Sequence, residues 1–102
     1  MATQKLSIDP KALARAAEVL RVLAHPARLS VIELLRSRER SVGELVESLR
    51  LPQAVVSKHL ALLKKVGLLA SEIDSNYRYY SLANTKVLEV LNCIKKSCPK
   101  GE

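Results

Sequence analysis

Gln53, Ser57, Lys58, Lys64 and Lys65 set an amide, a hydroxyl and three cations along one short segment, and no carboxylate stands between Glu47 and Glu72. Arg50 and His59 fall in the same gap. Gln pairs bidentately with adenine, Ser donates or accepts, and Lys reaches guanine or a phosphate oxygen. A surface built from such residues is locally positive and phosphate-seeking. The chemistry is recognition of a polyanion rather than bond-making. A second chemistry lies near the end, where the thiols of Cys93 and Cys98 are separated by Ile-Lys-Lys-Ser. Catalytic equipment is missing: the three glycines form no phosphate loop, no nucleophile is paired with a base, and few aromatics are present to line a substrate pocket. An enzyme is not expected.

To act together, the polar residues need one helix face. Val56, Leu60 and Leu63 recur at i, i+4 and i+7, which predicts a helix from about Gln53 to Val66, stopped by Gly67 in the left-handed cap position. With those three inward, Gln53, Ala54, Ser57, Lys58, Ala61, Lys64 and Lys65 occupy the outer side. Ahead of it, Ser41-Val42-Gly43-Glu44 has the spacing of a capping box and launches a helix with Val42, Leu45, Val46 and Leu49 inward. Arg50-Leu51-Pro52 leaves about three residues to turn between the two, the short connection of a helix-turn-helix. Leu68 to Asp74 and Tyr77 to Leu82 then read as two strands joined by Ser75-Asn76.

The flanks are helical. Asp9 and Pro10 suit the start of a first helix, whose face carries Leu13, Ala16, Ala17, Leu20 and then Leu23. His25-Pro26 breaks it, and Pro26 opens a second helix that buries Leu29, Ile32, Leu35 and Val31 and leaves Arg28, Arg36 and Arg38 in solvent. Asn84 caps a last helix running to about Lys96, with Val87, Leu88, Leu91 and Ile94 on one side, before a frayed tail at Pro99 and Gly101. The expected fold is mainly α with a small β-hairpin, in the order of four helices, two strands and a fifth helix.

A chain of 102 residues reads as a single domain, residues 1–102, small enough that burial in a subunit contact helps it. Its 17 Lys and Arg against 10 Asp and Glu give a net charge of +7, which favours polyanionic partners. Neither a signal-peptide core nor a membrane-length apolar run is visible, so the expectation is a cytoplasmic protein whose two cysteines are thiols rather than a disulfide. Residues near the N-terminus of a helix in the major groove meet base edges, which makes Gln53 and Ser57 the readers. Lys64 and Lys65, at the far end, suit phosphates, and Arg78 beside the hairpin turn suits a minor groove or its backbone. A basic face of this kind also serves protein partners, and a duplex is the reading that the following hairpin favours.

Five positions apart on a helix means about 140° and roughly 7.5 Å, so Cys93 and Cys98 share a ligand only if the helix ends between them, as Pro99 favours. Lys95, Lys96 and Lys100 nearby favour the reactive thiolate. Such a pair suits a soft thiophilic ion, or reversible oxidation to a disulfide or polysulfide bridge. Cys93 as a small apolar residue and Cys98 as an idle thiol is the plain alternative.

The runs Leu23-Ala-His-Pro-Ala-Arg28-Leu29, Ser41-Val-Gly-Glu-Leu45, Gln53 through Leu69 with Ser57-Lys-His59-Leu60 at its centre, and Arg78-Tyr79-Tyr80-Ser81-Leu82 together resemble the ArsR/SmtB family of winged helix-turn-helix repressors, from about Leu20 to the last helix. The resemblance implies a homodimer joined through the first and last helices, bound to a two-fold symmetric double-stranded DNA operator and released by an inducer. It puts the recognition positions on Gln53, Ser57, Lys58 and His59 and the wing arginine on Arg78. One departure stands out: Pro52 occupies the place where the family often has a capping Ser. The family's metal sites, paired Cys on the third helix or Asp and His on the last, are absent, and His25 and His59 sit at the family's ordinary positions. Among inducers the resemblance favours trivalent arsenic or antimony at Cys93 and Cys98, with no cofactor required for DNA binding. A redox or reactive-sulfur sensor, or a regulator without a small-molecule sensor, are the alternatives.

Overall fold

A computed structural model describes residues 7–97 as five helices and three short strands. Helix α1, Pro10–Leu23, starts with Pro10 at its first position, where the missing N–H costs nothing; Asp9 holds the cap position, but its side chain makes no capping hydrogen bond. Helix α2, Pro26–Leu34, is capped by His25, whose Nδ1 accepts from the Ala27 amide at 3.1 Å. Strand β1, Arg40–Ser41, leads directly into helix α3, Val42–Leu49. There the capping box is complete: Ser41 Oγ accepts from the Glu44 amide at 3.2 Å, and the Ser41 amide donates to the Glu44 carboxylate at 2.9 Å. Arg38 donates to the same carboxylate at 2.7 Å, and this contact, ahead of the Ser41 amide, holds the Glu44 pKa down at about 2.

Arg50 ends α3 in the left-handed region at φ 56°, and helix α4, Gln53–Lys65, follows. Pro52 caps α4 without a side-chain hydrogen bond, as the departure from the family pattern implied, while its carbonyl accepts from the Val55 and Val56 amides. Gly67, at φ 87°, turns the chain out of α4 into strand β2, Leu69–Asp74. Ser75 and Asn76 both have positive φ, 52° and 71°, the conformation of a type I′ turn, and strand β3, Tyr77–Leu82, returns alongside β2. Asn84 Oδ1 accepts from the Lys86 amide at 2.9 Å at the start of helix α5, Lys86–Ser97.

The sheet has three strands, in the order β1-β3-β2, where a two-stranded hairpin was expected. Two residues carry no alternation to read, and Ser41 serves both as strand and as helix cap. Pairing of Leu69 with Leu82, Ser71 with Tyr80 and Ile73 with Arg78 puts these six on one face of the sheet. Leu69 and Tyr80 are buried, so this face turns toward the helices. Glu72 and Asp74, one residue out of step, lie on the other face.

The core forms around Val31 and Ile32 of α2, Leu45 of α3 and Val56, Leu60 and Leu63 of α4, all fully buried, each worth roughly 1.5 to 3 kcal/mol of apolar burial. The apolar stripe of α1 behaves differently. Leu23 is buried, but Leu13 and Leu20 remain 40% and 56% exposed. On α5, Val87 is buried while Val90 and Ile94 remain 43% and 52% exposed. Leu20, Leu23, Val87, Val90, Leu91 and Ile94 line an apolar cleft of about 200 Å³ between the two helices. Among the described residues no helix is long and apolar enough to cross a membrane.

Ser41→Ala removes half of the capping box and is expected to lower the unfolding free energy by about 1 kcal/mol. A urea midpoint unchanged from the parent chain would show that α3 does not depend on the cap.

Candidate nucleic-acid interface

Burial of Val56, Leu60 and Leu63 turns one side of α4 inward, and Gln53, Ala54, Ser57, Lys58, Lys64 and Lys65 are all exposed on it. From β3, Arg78 faces the same region: Gln53, Ser57 and Arg78 share the wall of an open cleft of about 510 Å³ with Gly43 and Tyr80. The structure thus brings both expected base readers and the wing arginine together. At the far end of α4, Lys64 Nζ donates to Ser71 Oγ at 2.8 Å, and Arg78 Nη1 donates to the same oxygen at 3.2 Å. Lys65 points elsewhere, lining a shallow cleft with Arg15, Glu18 and Val19 of α1. Glu72 and Asp74, which close the acid-free stretch in sequence, sit on the opposite side of the sheet from Arg78.

His59 is not part of the exposed set. It is 8% exposed and accepts from Arg28 Nε at 3.0 Å through Nδ1, with its ring centroid 4.6 Å from that of His25. Position 59 lies three residues after Val56, so the same turn that buries Val56 carries His59 inward. The expectation that it lies with the recognition positions is corrected on this point. Arg28, expected in solvent, is half-buried, and its Nη1 also donates to the Val22 carbonyl at 2.9 Å. One guanidinium therefore ties α1, α2 and α4. Burial lowers the His59 pKa, and the charges of His25, Arg28 and Lys58 push in the same direction. His25 and His59 both use Nδ1 as an acceptor. Among the described residues no three His, Cys, Asp or Glu side chains gather to hold a metal ion.

Cys93 is exposed on α5, which continues to Ser97. Cys98, Pro99 and Lys100 lie outside the described residues. Beside Cys93, Asn92 Oδ1 accepts from Arg36 at 3.1 Å, linking the middle of α5 to the residues just past the helix that carries Arg28. Sequence reasoning missed Ser71, Arg28 and this Asn92 link. Ser71 was within reach of it, since strand alternation and the hairpin register already place it on the Arg78 face.

A short helix, a tight turn, an exposed acid-free helix and a β-wing whose arginine shares its cleft define a winged helix-turn-helix DNA-binding protein. Residues 25–71 match the family described as bacterial regulatory protein, arsR family. An uncharacterised HTH-type transcriptional regulator of Mycobacterium tuberculosis is 41% identical over 81 residues, spanning 78% of this chain and 71% of that one. The structure of HlyU from Vibrio cholerae, a protein named as a transcriptional activator, aligns at a TM-score of 0.78 with 32% identity, covering 89% of this chain and all of that one. HlyU has also been solved in a form described as reduced, at a TM-score of 0.76 and 32% identity, over 87% of this chain and 95% of that one. A homodimeric winged helix-turn-helix domain of Mycobacterium bovis aligns at 0.74 with 25% identity, over 100% of this chain and 99% of that one. The chain belongs to the ArsR family of DNA-binding transcriptional regulators. Its members regulate transcription and are not enzymes.

Because the folded pKa of His59 lies below that of the unfolded chain, the unfolded state binds the extra proton as acidity rises. Stability is therefore expected to be complete above about pH 6.5, the ordinary histidine value, and to fall as pH drops below it. In His59→Gln, whose amide oxygen still accepts from Arg28, that part of the acid loss should disappear. An identical pH profile of thermal unfolding in both proteins would rule His59 out as its source.

Proposed function

We propose that the chain is a homodimeric repressor, a single domain over residues 1–102 paired through α1 and α5, that occupies a two-fold symmetric operator. The observation that carries this reading is the acid-free outer face of α4 sharing one cleft with Arg78. Gln53 and Ser57 read base edges, Ala54 meets a thymine methyl, Lys58 takes guanine or a phosphate, Lys64 takes a phosphate, and Arg78 enters the adjacent minor groove or grips its backbone. His59 acts from inside, holding α4 at the angle that presents this face. The uncovered side chains of Leu13, Leu20, Val90 and Ile94 support pairing, since exposed apolar surface is favourable to bury between subunits. The relative described as homodimeric supports it too. Repression follows from occupancy alone, whereas activation, the role in HlyU's name, needs a further surface for polymerase.

Release comes from an inducer at the thiols of Cys93 and Cys98, and DNA binding itself requires no cofactor. A two-thiol site suits trivalent arsenic or antimony. Reversible oxidation is the competing chemistry, favoured by the solved reduced form of HlyU. Either event at the end of α5 bears on Asn92 and, through Arg36, on α2. The dimer then loses the spacing that fits two half-sites about one helical turn, ~34 Å, apart.

With a promoter-derived duplex as probe, Lys58→Glu should remain dimeric and bind about tenfold more weakly or worse, the scale of losing a phosphate contact and gaining a repulsion. Leu20→Glu with Ile94→Glu should sediment as a monomer and lose retardation. Unchanged affinity in the first variant, or an intact dimer in the second, overturns the corresponding part.

Replacing both Cys93 and Cys98 by Ser should preserve operator binding and abolish release by arsenite, antimonite and diamide. A double variant that still lets go for any of the three removes the thiols from the mechanism, and a parent chain that ignores all three identifies a regulator without this sensor.

A further inference from the structure

Lys64 and Arg78 belong to different elements, α4 and β3, yet both donate to one oxygen, Ser71 Oγ, at 2.8 and 3.2 Å. Bringing two cations to one neutral oxygen costs repulsion, and among the described residues neither is paired with a carboxylate; the ion pairs lie at Arg21–Glu18, Arg36–Glu33 and Arg38–Glu44. An anion shared by both would relieve that cost. Ser71 accepts through both lone pairs and so keeps its own proton available to donate. The guanidinium of Arg78 likewise has further N–H groups beyond the one used. Three donors of two kinds, charged and neutral, thus converge where a tetrahedral oxyanion can accept from all of them. The position also has a direction. Arg78 lines the cleft of Gln53 and Ser57, and Lys64 follows Ser57 on the same side of α4, about 10 Å further along its axis.

We propose that Lys64, Ser71 and Arg78 form a single binding site for one backbone phosphodiester of the bound duplex, with Ser71 as the positioning residue that joins the recognition helix to the wing. This rests on the DNA-binding reading above. Ser71 holds the two cations at a common point before DNA arrives, so that helix and wing grip the strand as one unit. Without the hydroxyl the two cations reach phosphates independently.

The test is a titration of the full chain against a duplex enriched from random sequence by that chain, repeated over a range of salt. It compares the parent, Lys64→Gln, Arg78→Gln and the double variant, each with Ser71 intact and each combined with Ser71→Ala. With Ser71 intact, the double variant should lose little more affinity than either single one. It should lower the slope of log affinity against log salt by about one, the value for one phosphate. Ser71→Ala should weaken binding roughly threefold to tenfold, on the scale of one net hydrogen bond, and make the Lys64 and Arg78 losses additive. Ser71→Thr, which keeps a hydroxyl and favours a strand, should restore the parent's non-additivity and so show that Ser71→Ala has not merely disturbed the sheet. Additive losses with a slope change of about two, in the presence of Ser71, mean separate phosphates and overturn the shared site while leaving DNA binding in place. No loss from either cation variant removes both residues from the duplex, and the DNA-binding reading fails at them.

Discussion

Arg28 holds three helices with one planar group. It donates to the Val22 carbonyl at the end of α1 and to His59 Nδ1 on α4, from a half-buried place on α2. Apolar contacts alone leave a helix some freedom to roll about its axis, because Val, Leu and Ile surfaces are tolerant of small rotations. A directional hydrogen bond from a charged donor to a buried imidazole is not tolerant in this way. Once Arg28 and His59 meet, the rotation of α4 is set, and with it the side chains that face outward. The burial that lowers the His59 pKa belongs to the same arrangement.

Much of this was legible beforehand for identifiable reasons. Val56, Leu60 and Leu63 declared the inner side of α4 by spacing, and all three are fully buried. The Ser41–Glu44 box, the Asn84 cap, the Gly67 stop and the Ser75-Asn76 turn are local features, in which a residue's own chemistry dictates the backbone around it. What escaped needed partners distant in sequence. His59 looks like a polar member of a basic segment until Arg28, on another helix, supplies a donor for it inside. Strand β1 exists only because β3 lies beside it, and two residues of sequence cannot announce that. The convergence of Lys64 and Arg78 required the hairpin register as well as the helix phase. The stripe read along α1 was mostly not its buried face: Val22 and Leu23 are buried with Val19 packed against the core, while Leu13 and Leu20 stay exposed, because a single chain offers little to cover them. The relation of Cys98 to Cys93 lies outside the described residues.

The acid-free face of α4 and the apolar cleft between α1 and α5 occupy different parts of the molecule, and the helices between them carry polar links as well as apolar packing. Asn92 on α5 meets Arg36 at the end of α2, and Arg28 on α2 meets His59 on α4. Arg36 lies two residues beyond α2 and Arg28 within it, so the segment from Arg28 to Arg36 touches both α4 and α5.

The wing carries opposite electrical character on its two sides, with Ser71 and Arg78 on one and Glu72 and Asp74 on the other. In a β-ladder a slip of a single residue exchanges the two sides completely. For this hairpin such an error would present carboxylates where a phosphate is to be met. The left-handed pair Ser75 and Asn76, by admitting one loop length and one pairing, therefore sets the sign of the charge that the wing offers to its ligand.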